Sequence, residues 1–534
     1  MVPILLCVVL GLLFSAPRIR AWVPTSVLKP LPLTLFFGFF SLFAIFGPVM
    51  CVKRHMIYHD EPSVVSVAVA ALHGQPLYHS ADAAQRYSLL YGPATFWLYT
   101  PPALFGRDLR LFQLWVILPL AAAVFSIWKV AGVARSRTGQ AIVSFIAVIL
   151  VLAQANNEWA MKGDAWLLCV AAVQLAASVL LNGPIAWFAI ALCGAVLVDI
   201  KITSIALASV PLWIYARRTA RWPYAILSAA LLVGFASAAF LVKGVSLSNY
   251  LFWLRQSSRH GIAMVVLRRN MAYLASMTFL PGAIYFYLWC TSKPKALAWV
   301  RARKDLLVLG AIATASLLLS GAKRGAGPWH CAPLIPMFTL CAAGLWRELD
   351  TCWADRSVRI PDRRWLVAFV FAWVLAGLKI LRFDLLMHWR GTIPETSNTS
   401  AASVADDLRQ ILHDHPGQQI QMGYGAHNSY ELTWQRPLLV LYGNRYDIDA
   451  DSMMEMQTAG LSLPAATIQN IRDCANDIWL IPRGDAPFSL ENGYSVEYGI
   501  GPRDVFPESF RAAFLRHYHP ASHSRYFDLW TCMR

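Results

Sequence analysis

Long apolar segments, separated by short basic links, recur along the first part of the chain. Since about 20 apolar residues cross the hydrocarbon core of a bilayer as a helix, most of these segments predict membrane spans. They are 2–16, 31–52, 111–134, 139–155, 165–181, 184–198, 202–216, 223–242, 271–290, 306–320, 330–346 and 365–381. The pattern predicts a mainly α, polytopic transmembrane helical bundle of about 11–13 spans.

The stretch 89–105 (LLYGPATFWLYTPPALF) determines the topology. Its three prolines argue against a straight spanning helix, so we expect an interfacial or re-entrant element. If it does not cross, the basic links 17–30, 135–137, 217–221, 293–304 and 347–364 share one side, which the positive-inside rule makes cytoplasmic. The segments predicted to face outward are then 53–110, 156–164, 199–201, 243–270, 321–329 and everything after about 383.

After residue 383 the composition becomes that of an ordinary soluble protein. Residues 401–413 have helical periodicity, and four short segments bounded by Gly and Pro predict strands: IQMGYG, PLLVLYG, DIWLIP and YFDLWTC. We therefore expect a membrane domain at 1–382, with a first outward loop at 53–110, followed by a small extracytoplasmic α/β domain at 383–534. Cys474 and Cys532 lie in this tail and could pair in an oxidising compartment, which the sequence leaves open.

Composition supports lipid as the solvent for much of the chain. Hydrophobic residues make up 57% and charged residues 14%, against about 25% charged in soluble domains. The formal net charge of +16 lies mostly in the links between apolar segments. Since no basic run stands on a soluble surface, the partners predicted for these cations are membrane lipids and not nucleic acid.

Four outward clusters contain chemistry-bearing side chains. Asp60 and Glu61 follow an apolar segment, so partial desolvation would suit a carboxylate there to accept a proton, although either residue could simply cap the following helix. The other clusters are Lys162-Gly163-Asp164, Asp199 with Lys201 and Thr203, and Lys323-Arg324 leading to Pro328-Trp329-His330. Acids and bases together with a Gly-rich turn indicate a phosphate-bearing ligand rather than a cation path.

These motifs resemble the GT-C superfamily of membrane glycosyltransferases, which includes protein O-mannosyltransferases and aminoarabinose lipid A transferases. The resemblance spans nearly the whole chain and depends on the order of short motifs. They are Asp60-Glu61, Tyr91-Gly92-Pro93, Pro101-Pro102, Phe105-Gly106, Lys162-Gly163-Asp164, Lys201 with Thr203, and Pro328-Trp329-His330 with Pro333 and Pro336.

The resemblance implies a hexosyl- or pentosyltransferase that moves a sugar from a polyprenyl-phosphate carrier to a hydroxyl acceptor, with inversion. Its site would face outward from a multi-pass protein of the bacterial inner (plasma) membrane. By this resemblance Asp60 is the general base, Glu61 its neighbour and Asp164 the acid of the second loop. Candidates to bind the carrier phosphate are Lys201, Arg324, His330, Lys162 and Arg86.

One departure from the family pattern concerns the phosphate. Relatives that modify lipid A carry Lys-Pro-Pro where this chain has Tyr91-Gly92-Pro93, so another cation must replace that Lys, and Arg86 and Lys162 are the substitutes considered. A divalent metal bound by Asp60, Glu61 and Asp164 is also left open, because three carboxylates without a fixed spacing do not establish it.

Two other classes of function fit less well. A transporter or flippase of lipid-linked saccharides usually shows internal repeats and ionisable residues near the bilayer midplane, whereas no repeat is found here and these residues lie at helix ends. A non-catalytic scaffold leaves the acids and bases on one face unexplained.

Overall fold

The computed structural model describes residues 56, 58–153, 160–354, 401–493 and 503–533, and these are mainly helical. The predicted spans at 2–16, 31–52 and 365–381 lie outside the described residues. The α-helices of the first part are α1 Glu61–Leu72, α2 Pro93–Trp97, α3 Thr100–Phe105, α4 Leu109–Trp115, α5 Ile117–Ala131, α6 Arg137–Leu152, α7 Gly163–Leu180, α8 Gly183–Ile200, α9 Ile205–Thr219, α10 Trp222–Ala238, α11 Leu247–Ser257, α12 Met264–Thr291, α13 Lys293–Ala302, α14 Lys304–Ser320 and α15 Ile335–Ala354.

Within the described ranges, six helical segments are long and apolar enough to cross a membrane. They are Leu109–Ala134, Gly163–Leu180, Gly183–Ile200, Trp222–Leu241, Met264–Thr291 and Pro328–Trp353. The chain is therefore a multi-pass membrane protein, and each of these segments overlaps a predicted span. The predicted spans at 139–155, 202–216 and 306–320 form shorter helices, α6, α9 and α14.

The burial of the spanning helices differs in a way that identifies the centre of the bundle. In α7, 72% of the most apolar stretch is buried within the protein, against 22% in Trp222–Leu241 and 28% in α12. A helix that is apolar on all sides but weakly buried by protein is covered by lipid. Therefore α7 and the equally buried segment Pro328–Trp353 lie towards the centre, and α10 and α12 present much of their surface to the hydrocarbon.

The stretch 89–105 forms two short helices instead of one span, as expected. Pro93 begins α2, and the pair Pro101–Pro102 lies in the first turn of α3, where the missing amide hydrogen of proline is tolerated. A break between these helices avoids placing the prolines in a helix interior, where each would remove a backbone hydrogen bond.

The C-terminal region is an α/β domain built on a four-stranded sheet in the order β1-β2-β4-β3. The strands are β1 Ile420–Met422, β2 Ile478–Pro482, β3 Tyr518–His523 and β4 Phe527–Cys532, and the α-helices are α16 Ala401–Asp414, α17 Pro437–Leu441, α18 Ala450–Thr458, α19 Ala465–Arg472 and α20 Glu508–His517. β1 and β2 are parallel, whereas β4 is antiparallel to both of its neighbours. Cys474 and Cys532 form a disulfide, which joins the turn after α19 to the end of β4.

One predicted strand of this domain is wrong. PLLVLYG forms helix α17, which begins with Pro437 in its first turn and is buried along Pro437–Leu441. A short run of apolar residues has no clear period, so burial on all sides fits a helix as well as a strand. The other three predicted strands and the helix at 401–413 are present, while β3 was missed because it is mostly exposed and contains the polar sequence YHPASH.

Candidate active site

A cavity of about 350 Å³ lies where one end of the helical bundle meets the C-terminal domain. Its charged and histidine lining residues are His59, Asp60, Lys201, Lys323, Arg324, His330, Asp451 and Glu455. Parts of the predicted outward segments 53–110, 199–201, 243–270 and 321–329 meet here with the tail. The cavity thus gathers at one end of the bundle segments that are far apart in the sequence.

Asp60 lies immediately before α1, but its carboxylate does not cap that helix. Instead, Oδ2 accepts a hydrogen bond from the Tyr91 hydroxyl at 3.1 Å and lies 3.6 Å from Lys162 Nζ. Oδ1 is shielded from solvent and has no hydrogen-bond partner among the described residues. One oxygen of Asp60 is therefore held in place, while the other is buried without a partner among the described residues, beside the cavity that Asp60 lines.

Charges of alternating sign run from Asp60 into the bundle. Lys162 Nζ lies 3.6 Å from both Asp60 and Asp164, and Lys201 Nζ donates to Asp164 Oδ1 at 2.5 Å. Asp164 and Lys162 are almost fully buried, whereas Lys201 reaches the cavity wall. Buried charges require partners of this kind, since an isolated one would be strongly destabilising.

Lys162 is held on two sides by aromatic rings. Its Nζ lies 4.0 Å from the ring centre of Tyr58 and 5.0 Å from that of Trp329, distances typical of cation–π contacts. Burial alone would lower the pKa of Lys162, but the negative charges of Asp60 and Asp164 outweigh burial and raise it. Lys162 is therefore a permanent cation behind the wall of the cavity.

Glu61 has a different environment from Asp60. It is 1% exposed, and its two oxygens accept hydrogen bonds from the backbone N–H groups of Tyr58 (2.5 Å) and Met161 (2.9 Å). Since residue 61 begins α1 and residue 161 leads into α7, this carboxylate joins the two loops that carry Asp60 and Lys162. It does not line the cavity.

Tyr91 is the residue that the sequence resemblance sets opposite a Lys of relatives that modify lipid A. The next residue, Gly92, donates its backbone N–H to Ile200 O at 3.1 Å, and a Cβ on Gly92 would lie 1.7 Å from Asp199 O. Only glycine permits this approach of the loop to the end of α8. As a result Lys201, the residue after α8, lies beside Tyr91, with Nζ 5.8 Å from its ring centre.

The two substitutes considered for the missing Lys lie away from the cavity wall. The Arg86 guanidinium binds the carbonyls of Ala81 and Ala83 within its own loop, and Lys162 is enclosed between two carboxylates. Cations at the wall come from Lys201, Lys323 and Arg324 instead. Among the described residues, neither Lys323 nor Arg324 has a carboxylate within ion-pair distance.

The C-terminal domain contributes acids that the sequence did not identify. Asp451 and Glu455 are on α18, and both line the cavity. Burial raises the pKa of Glu455 to about 7, although Lys323 acts in the opposite direction. The sequence signal was the alternation of acids in DIDADSMME at 447–455, ahead of an apolar helical run.

A buried polar network joins α18 to α1. Arg436 Nη2 donates to Asp449 at 2.9 Å and to Asp451 at 3.2 Å, and it also contacts the hydroxyl of Ser63 on α1 at 2.6 Å. Asp451 in turn binds His59 Nδ1 at 2.7 Å. The charge of Asp451 raises the pKa of His59, although burial opposes the rise. The network thus fixes the C-terminal domain to the loop that carries Asp60.

The described parts of the chain place no three His, Cys, Asp or Glu side chains in a group that could hold a metal ion. Asp60 contacts a tyrosine and a lysine. Glu61 accepts hydrogen bonds from two backbone amides, and Asp164 lies within ion-pair distance of two lysines. The described residues thus show these three carboxylates apart from one another, and a divalent metal stays an untested prediction.

No family model matches the sequence, and no curated protein matches it. Solved structures similar to the chain include two of ArnT from Cupriavidus metallidurans. The one bound to undecaprenyl phosphate has a TM-score of 0.49 at 15% identity, covering 92% of this chain and 97% of that one. The apo structure gives 0.49 at 14% identity, covering 92% and 98%.

Proposed function

We propose that this protein is a membrane glycosyltransferase that moves a sugar from a polyprenyl-phosphate carrier to a hydroxyl acceptor, with inversion. The observation that carries the proposal is a cavity lined by Asp60, whose Oδ1 has no hydrogen-bond partner among the described residues, together with a cationic wall and an apolar rim. Each part matches one requirement of that reaction: a base, a phosphate site and a place for a lipid chain.

The cationic wall suits the phosphate of the donor. Lys201, Lys323 and Arg324 line the cavity, and the last two have no carboxylate partner among the described residues. Arg can bind two oxygens of a phosphate at once, and Lys acts as a compact charge. These cations would stabilise the negative charge that grows on the phosphate as it leaves the sugar.

The rim of the cavity supports a lipid-linked donor. Ile202, Ile262 and Leu319 line the cavity and remain 36%, 59% and 55% exposed. Exposed apolar residues beside cations are typical of sites for an amphiphile, with its headgroup at the charges and its chain on the apolar surface. A soluble donor would have no need for this rim.

Asp60 is placed to remove the proton of the acceptor hydroxyl. In the proposed step that proton passes to Oδ1 of Asp60, and the acceptor oxygen forms a bond to the anomeric carbon. The bond from that carbon to the phosphate oxygen breaks, and its electron pair leaves with the phosphate. Attack from the face opposite the phosphate inverts the anomeric carbon. Lys162, with its Nζ 3.6 Å from Oδ2, holds the Asp60 carboxylate in position for this step.

Replacing Arg324 by Ala is expected to raise the KM for the lipid donor about tenfold or more, because one charge-assisted phosphate contact is lost. The measurement is transfer of sugar from a synthetic polyprenyl-phosphate donor by purified protein. Arg255→Ala is the matched control, since Arg255 is exposed on α11 and does not line the cavity. Equal KM values for the two variants would place the phosphate elsewhere.

The raised pKa of Glu455 leads us to expect that donor binding depends on pH. With a pKa of about 7, its carboxylate is mostly neutral at pH 6 and mostly charged at pH 8. A negative charge in the wall repels an anionic donor, so KM for the donor should rise roughly threefold to tenfold between these values. The donor is a phosphodiester, and its own charge is constant over this range.

The matched variant for this test is Glu455→Gln, which keeps the shape of the side chain and removes the titration. Its KM should rise clearly less from pH 6 to 8 than that of the wild type, and it should be close to the wild-type value at pH 6. A wild-type KM that falls with rising pH, or an unchanged slope in Glu455→Gln, would contradict the prediction.

A further inference from the structure

A second groove runs along α14, starting at the end remote from the candidate active site. Two adjoining cavities form it, of about 280 and 390 Å³, and they share Leu306, Leu307 and Cys341. The smaller lies at the beginning of α14, and the larger extends to Leu318. The candidate active site begins one residue further along the same helix, at Leu319.

The smaller cavity is rich in arginine. Arg218 from α9, Arg303 between α13 and α14, and Arg347 from α15 all line it. The acid nearest to them is Glu348, 4.0 Å from Arg303 and 3.7 Å from Arg347. Three guanidinium groups against one carboxylate leave a net positive charge among the described residues.

Trp299 provides an independent indication of a ligand. It lines the same cavity, is only 6% exposed, and its indole N–H has no acceptor among the described residues. Nε1 faces Gly344, another lining residue, since a Cβ built on Gly344 would lie 3.7 Å from it. A buried indole N–H normally has a hydrogen-bond acceptor, so an oxygen-rich group fits here.

The larger cavity is apolar and elongated. Small residues of α14 form its floor at Gly310, Ala311 and Ala315, with Met337 and Phe338 from α15 beside them. From Leu306 to Leu318 the helix rises about 18 Å, which is close to the hydrocarbon thickness of about 15 Å of one leaflet. The groove therefore has the length of a single acyl chain, with the arginines at its headgroup end.

We propose that this groove binds an anionic phospholipid, with its phosphate at Arg218, Arg303, Arg347 and the Trp299 N–H, and an acyl chain along α14. Basic pockets between membrane helices are a known form of site for anionic headgroups. The net positive charge selects against lipids whose headgroup carries an ammonium. The headgroup of this lipid lies at the end of α14 opposite the candidate active site, and the proposal does not depend on sugar transfer.

Native mass spectrometry of the detergent-solubilised full chain, titrated with phosphatidylglycerol or phosphatidylcholine, tests the proposal. Wild-type protein should retain phosphatidylglycerol about tenfold or more over phosphatidylcholine. The variant Arg218→Gln/Arg303→Gln/Arg347→Gln should lose that preference. The charge-matched control Arg221→Gln/Arg301→Gln/Lys295→Gln should keep it, since these cations are exposed or outside the groove.

Two conservative variants cover the case in which the triple variant does not fold. Trp299→Phe keeps the ring and removes the N–H, and Ala311→Trp fills the apolar part without changing charge. Each should reduce retention of phosphatidylglycerol severalfold, whereas Ile312→Trp, on the same helix outside the groove, should not. Equal losses in pocket and control variants, or no preference in the wild type, would overturn the proposal. Equally strong binding of soluble glycerol phosphate would show an anion site without a lipid.

Discussion

Replacing Asp60 by Asn should reduce sugar transfer about 100-fold to 10,000-fold while the protein still folds in the membrane. Loss of a general base has effects of this size. Asn keeps the shape of the side chain and can still accept the hydrogen bond from Tyr91. It cannot take up a proton from the acceptor, so the chemical step and therefore kcat should be lost, with little change in donor KM.

The measurement is single-turnover transfer at saturating donor by purified protein, with monodispersity and thermal unfolding as checks of folding. Asp82→Asn is the matched control, because Asp82 is an exposed carboxylate of the same loop and does not line the cavity. Asp60→Glu retains the carboxylate and should keep part of the activity. Transfer by Asp60→Asn within about twofold of the wild type would rule out the base role.

Replacing Arg436 by Met should destabilise the C-terminal domain by about 3–5 kcal/mol, the range for removing one partner of a buried ion pair. Arg436 is fully buried, and the change leaves Asp449 and Asp451 without their cation. Because Asp451 also holds His59, the loop of Asp60 should loosen and transfer should fall as well.

Hydrogen exchange in the full-length protein measures this effect at the peptides of α17 and α18, alongside thermal unfolding. Arg511→Met is the control, since Arg511 makes ion pairs with Asp504 and Glu508 at the surface and should change stability by less than about 1 kcal/mol. Adding Asp449→Asn and Asp451→Asn to Arg436→Met should restore part of the loss. Equal hydrogen exchange in the Arg436 and Arg511 variants would show that the buried polar network around Arg436 does not stabilise the C-terminal domain.

The sequence predicted local structure well where an apolar segment was long and failed where it was short. Spans such as 165–181 were found within two residues of α7, because the length of an apolar helix follows from the thickness of the bilayer. PLLVLYG was assigned to a strand, since its five apolar residues carry no period that separates a helix from a strand.

Prediction of the candidate site was limited by contacts between distant residues. Asp60, Lys201 and Arg324 could be singled out because each lies within or just beyond an apolar segment, where charge is unusual. Asp451 and Glu455 lie in a polar tail where acids are ordinary, and only the docking of α18 against α1 brings them to the cavity. The position of Lys201 beside Tyr91 likewise depends on Gly92, whose close approach to α8 is invisible in the sequence.

The order of strands in the sheet has a consequence for biosynthesis. β4 lies between β2 and β3 although it follows both along the chain. Until residues 527–532 have been synthesised, β2 therefore lacks its antiparallel neighbour and β3 has no strand to pair with. The Cys474–Cys532 disulfide can form only at that point. The wall that carries Asp451 and Glu455 is therefore completed after the helices opposite it have been synthesised. In a nascent chain the cations of the helical bundle would therefore be exposed before α18 is docked and the cavity is closed on that side.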